Sequence, residues 1–163
     1  MSISQTLTAS YEFNRGRTLE LLDRIEDSSD PQAALAWRPG LKRAHIGWQI
    51  MHIGITEEIF ATERLLPEKP GCWTELWPRF RGGSTPDDDV PTLAMLRTTL
   101  SEARQHLLET LTHWGDQRLG EIPAALAQRG LTYQQVLHII AWHEAHHQGQ
   151  AHAVFNLYQA QQS

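Results

Sequence analysis

Helical periodicity is the feature that most narrows what this chain can fold into. Apolar residues recur every three to four positions through four separated stretches, and no strand-length run alternates with a period of two. The first stretch, roughly Ser4 to Glu26, places Leu7, Tyr11, Thr18, Leu22 and Ile25 on one face, and the turn residues Ser28-Ser29-Asp30-Pro31 stop it. A segment containing Trp37-Arg38-Pro39-Gly40 leads into the second stretch, roughly His45 to Leu66. Its inner stripe includes Trp48, His52, Ile55 and Ile59, and Pro67 and Pro70 end it. The third starts near Pro91, a good first-turn residue, after Asp87-Asp88-Asp89, whose charge suits a helix N-terminus. Leu93, Leu96, Leu100, Ala103, Leu107, Leu111 and Trp114 form its seam, and Gly115 closes it. The fourth begins at Thr132, with Gln135 three residues on as a capping box, and runs to about Tyr158. The pattern predicts an all-α protein: a four-helix bundle with a long connection between helices 2 and 3, formed as one domain over residues 1–163.

That connection, residues 67–91, holds five prolines, three glycines, Cys72, Trp73 and Trp77. A loop of this length in a compact domain is either a lid over a site or a packed crossover strap. As a lid, it would set Trp73 and Trp77 at the mouth of the site.

Charge and composition remove several function classes. The net charge is −5, the pI is near 6.0, and the only lysines are Lys42 and Lys69. Without a cationic face, a nucleic-acid partner is not expected. The start MSISQTLTASYEF lacks the basic and apolar regions of a secretion signal, and no apolar run approaches the ~20 residues of a membrane helix. Cys72 is the single cysteine, so no internal disulfide forms, as expected of a protein in the reducing cytoplasm.

The chemistry concentrates in the last helix, at His143-Glu144-Ala145-His146-His147. His143 and His147 stand at i and i+4, about 40° apart around the axis and roughly 6 Å along it, so two imidazoles can close on one ion. They share the apolar stripe with Val136, Ile140, Val154 and Tyr158. An imidazole pair facing a core loses its water, and a bond to a metal offsets that cost. His52 faces the same core from helix 2, and three neutral imidazoles suffice for a divalent metal such as Zn, Ni or Fe with positions left open. His45, two turns earlier on the same face, is the rival third ligand. His106 and His113 share a face with Glu102 and Thr110 opposite the leucine seam, which predicts exposure. His138, Trp142 and His146 lie on another face of helix 4, and His152 is turned away from the pair. Glu144 and Glu57 are candidates for proton transfer or for supporting the ligands, with a solvated surface position the plainer reading of Glu144. No histidine can be placed beside Cys72 from the sequence, which makes it a poor nucleophile candidate.

Two other metal motifs fit less well. His143 to His147 satisfies H-E-x-x-H, the zinc-protease helix. Only sixteen residues follow His147, none is Asp or Glu, and position 153 is Ala, so the third ligand of that class is missing. Glu144-x-x-His147 matches one element of a di-iron bundle, but the chain has no second one.

The tract GWQIMHIGITEE, the long connection and the final GLTYQQVLHIIAWHEAHHQGQ resemble the DinB/YfiT family of bacterial four-helix metalloproteins, the damage-inducible DinB domain rather than the polymerase of that name. The resemblance covers essentially the whole chain. It implies that His52, His143 and His147 bind a divalent metal, often Zn or Ni, and that Gly149 and Gln150 match the family's glycine-glutamine. It also implies activity of a looser kind: thiol-dependent S-transferases and isomerases using thiols such as bacillithiol or mycothiol, or hydrolases. The expected function is therefore a metal-dependent transfer to a small electrophilic substrate, with a low-molecular-weight thiol as cosubstrate. The alternatives are a non-catalytic metal-binding stress-response protein and a bundle with a structural metal. Exposed faces of such bundles commonly pair, so a homodimer is expected.

Overall fold

In the computed structural model, which describes residues 2–162, the chain is all-α, with no strand among the described residues. Four long helices make the bundle: α1 (Ile3–Glu26), α3 (Ile46–Ile59), α5 (Leu93–Trp114) and α6 (Tyr133–Gln162). Two short helices sit in the connections, α2 (Pro31–Ala36) and α4 (Trp77–Phe80). α3 packs on α5 and α6, and α1 packs on α6 and α5, so the four close into a ring.

The ends form where the local chemistry demands. Ser2 and Gln5 close a capping box on α1, and Thr132 and Gln135 close one ahead of α6. Thr92 caps α5, two residues later than Pro91 suggested, and Gly115 ends α5 with φ of 65°, a conformation glycine adopts without strain. Asp30 caps α2 through the Ala33 N–H, with Pro31 in the first turn. The same Asp-Pro pair that stops α1 thus starts a helix the periodicity was too short to reveal.

Helix 2 of the sequence reading differs most. It begins after His45, whose ring accepts the Trp48 N–H as an N-cap. Beyond Ile59 it widens into a π-helical turn over Phe60–Arg64, where the Leu65 N–H reaches the Phe60 carbonyl at 3.1 Å. Every residue of α3 except Thr56 is buried. A helix apolar on all sides must be covered on all sides. α5 and α6 cover two of them, while α2 and the 67–91 connection cover the rest.

That connection is a packed strap. Phe80 is buried in the core, and the Trp48 indole donates to the Arg79 carbonyl at 3.0 Å. Arg79 in turn grips Asp87. Gly71 lies so close to the Trp77 ring that a Cβ there would sit 2.6 Å from it. No helix among the described residues is long and apolar enough to cross a membrane.

Candidate metal centre

The structure brings His52, His143 and His147 together. Their ligating nitrogens lie within 4.8 Å of one another, and their ring centroids stand 4.5–4.8 Å apart in a near-regular triangle. His52 comes from the middle of α3 and the pair from the middle of α6, where these helices pack. The Tyr11 hydroxyl donates to the Leu137 carbonyl at 2.8 Å and Asn14 to the Ala141 carbonyl at 2.9 Å, which fixes the register of α1 against the turns of α6 just before the pair.

Two of the three rings are oriented from outside. The His52 Nδ1–H donates to the Phe80 carbonyl at 2.5 Å, and the Trp48 indole stacks on its face at 4.7 Å. The His147 Nδ1–H donates to Gln49 Oε1 at 2.5 Å. In each case the tied nitrogen carries the proton and leaves the lone pair on Nε2. His143 Nε2 stands 3.0 Å from His52 Nε2. Two nitrogens on one tetrahedral zinc sit roughly 3.3 Å apart, so little movement separates this arrangement from a ligating one.

The electrostatics favour neutral imidazoles. Burial, then the nearness of His52 and His147, pushes His143 down to about 2. Burial, then His52 and His146, pushes His147 to about 4. Burial also lowers His52, against the pull of its bond to Phe80. Unprotonated nitrogens of this kind could hold a divalent ion. His143 and His147 are half-buried, so the triangle is reachable from one side. A narrow cleft beside it is lined by Ile53, Thr56, Glu57, Phe60, Ile140, His143 and Glu144.

Other sequence expectations divide. His45 is buried but committed to capping α3 and to the Asp87 carbonyl, and it does not join the triangle. Trp73 and Trp77 do not line the cleft. Their indoles donate to Glu102 and to the Cys72 carbonyl, and Trp48 is the tryptophan beside the triangle. His138, Trp142 and His146 are exposed, and His152 turns to Arg24, as expected.

Glu144 is no solvated surface residue: it is 4 % exposed. Oε1 takes Arg15 Nε at 2.7 Å and Thr18 Oγ1 at 2.9 Å, and Oε2 takes Arg104 Nη2 at 2.7 Å. Glu57 binds the same two guanidiniums. Burial works against the charge of Arg15, but Glu57 and Glu144 together hold its guanidinium above its ordinary range. This square ties α1, α3, α5 and α6 together one residue from His143. Sequence reasoning missed Arg15 and Arg104. The signal was there for Arg15, a charge on the apolar stripe four residues after Tyr11 and three before Thr18.

His106 is also not where the periodicity put it. It is half-buried, with Nδ1 at 3.0 Å from both oxygens of Glu58, and Thr110 beside it is buried. Glu58 and Cys72 join it in a second group of ligating side chains within 4.8 Å of one another. Cys72 thus does have a histidine neighbour, although burial, then Glu58 and Glu102, pushes its thiol up.

A family model described as the DinB superfamily matches residues 10–151, which include all three histidines of the triangle and the whole strap. No curated protein matches the chain.

Proposed function

This chain belongs to the DinB superfamily, and from that premise we propose that it binds a divalent metal ion through His52, His143 and His147 and uses it to activate a small thiol or water against a small electrophile. The observation that carries the reading is the convergence of three neutral imidazoles, one buried and two half-buried, two of them held in the ligating tautomer by Phe80 and Gln49. A bound divalent ion supplies Lewis acidity, which turns a thiol or water into its nucleophilic form near neutral pH.

The protein's own residues do the rest. Trp48, Gln49 and the Phe80 carbonyl hold the ligand rings in place, so binding requires little rearrangement. The Arg15–Glu57–Arg104–Glu144 square fixes the rotation of α6 at the ligand turn. Glu144 is a positioning residue, since both oxygens are already engaged by cations. The half-exposed side of His143 and His147 leaves an approach for substrate. Cys72 lies in the other cluster, so a thiol nucleophile comes from solution.

Elemental analysis of protein purified without chelator tests the site. Each of His52→Ala, His143→Ala and His147→Ala should lose one ion per chain relative to wild type. Full retention in all three rejects the assignment. Bacillithiol, mycothiol, glutathione and coenzyme A, each screened against halogenated and epoxide acceptors, test the chemistry. Thiol consumption should vanish with His143→Ala. Metal-dependent peptide hydrolysis without thiol consumption would overturn the transferase reading.

A further inference from the structure

We propose that Glu58, Cys72 and His106 form a second divalent-metal site, built for a borderline-soft ion of the zinc type and independent of the histidine triangle. The three come from three elements: Glu58 from the end of α3, Cys72 from the strap and His106 from the middle of α5. One atom from each lies within 4.8 Å of the others.

The donor set is specific. One sulfur, one imidazole nitrogen and one carboxylate oxygen suit zinc far better than magnesium or calcium, which take oxygen ligands. Thiolate and carboxylate together carry two negative charges, which a divalent ion balances. Three protein ligands leave a fourth tetrahedral position to water. Binding is ligand exchange without oxidation or reduction: the thiol proton leaves to solvent, and the imidazole proton yields Nδ1 and moves to the other ring nitrogen.

The strongest argument is the position of Glu58. Its side chain is 0 % exposed. Among the described residues, no lysine or arginine lies within ion-pair distance of it. Its partners are the Cys72 N–H at 2.8 Å and His106 Nδ1 at 3.0 Å. A carboxylate taken out of water needs a counter-charge close by. Glu57, one residue earlier, has two guanidiniums. Beside Glu58 the corresponding place is ringed by ligating atoms instead. Cys72 is held there by deliberate geometry: Gly71 passes under the Trp77 ring, Trp77 donates to the Cys72 carbonyl at 3.0 Å, and Trp73 adopts a φ of 57°.

The single cysteine makes the test clean. Loaded with cobalt(II), the full chain should show a near-ultraviolet thiolate-to-cobalt charge-transfer band that only Cys72 can produce. The band should survive in His143→Ala/His147→Ala, which disables the triangle, and disappear in Cys72→Ser. Zinc content should fall by one ion per chain in Cys72→Ser and in His106→Gln, with the triangle's ion retained. Cobalt uptake without the band in wild type overturns the proposal, and this reading needs no variant to fold. Unchanged zinc content in both Cys72→Ser and His106→Gln also overturns it. Loss of the triangle's ion alone, with the band intact, would count against the function proposed above and leave the second site standing.

Discussion

Glu57 and Glu58 are adjacent, both are buried, and they are neutralised in different ways. Successive helical residues point about 100° apart, so Glu57 faces the centre of the bundle and Glu58 faces α5 and the strap. Glu57 meets Arg15 and Arg104, permanent cations carried by the helices themselves. Glu58 meets a histidine and a backbone amide. The first environment supplies its own counter-charges. The second is built from groups that change protonation or bind ions. The lesson is that burial of a charge does not fix its role; the chemistry of the partner across the interface does.

Removing one guanidinium should have the largest effect. Arg104→Ala leaves Glu57 and Glu144 short of a cation in the core and should cost about 3–5 kcal/mol in denaturant melts. A cost below about 1 kcal/mol would mean that water or a rearranged Arg15 compensates, and the square would not be the rigid tie described. His106→Ala should cost less, about 1–3 kcal/mol, because it strips Glu58 of one hydrogen-bonding partner and leaves the Cys72 amide. Added zinc should widen that loss, because it stabilises wild type at this site more than the variant. If His106→Ala proves as costly as Arg104→Ala, the contrast between the two glutamates fails. The smallest effect belongs to His113→Ala. This histidine is exposed, one heptad from His106, and its loss should stay within about 0.5 kcal/mol. A larger loss would mean that the last turns of α5 are rotated from the orientation described.

These two histidines also show what the sequence reveals and what it hides. Their position opposite the leucine seam predicts a solvent face for both. His113 lies there. His106 does not, because α5 is buried on two sides: the seam faces the core while Thr99, Arg104 and Thr110 meet other elements. Periodicity finds a helix and its most apolar face, but not a second, polar face covered by a neighbour. The four long helices, the capping box at Thr132 and the histidine triangle were legible because each rests on spacing within one helix or on apolar surroundings. The Arg15–Glu57–Arg104–Glu144 square was not, since it joins four helices and leaves no local pattern beyond a charge on an apolar stripe. The commitment of His45 to a helix cap depended on where α3 begins, within a residue, and periodicity does not define ends that finely.

The hydrogen bond from His52 to Phe80 has one further consequence. The accepting atom is a main-chain oxygen, which every residue type carries, so the identity of residue 80 matters only through where it puts that oxygen. What holds it there is the buried ring of Phe80 and the indole of Trp48 gripping the preceding carbonyl. The strap's outward positions, Arg81, Gly82 and Gly83, are exposed and take no part in that grip. Arg81 and Gly82, which share a groove with Thr56 and Phe60 of the cleft lining, can therefore be varied while the ligand rings stay in place, whereas Gly83, with φ of 89°, must remain glycine.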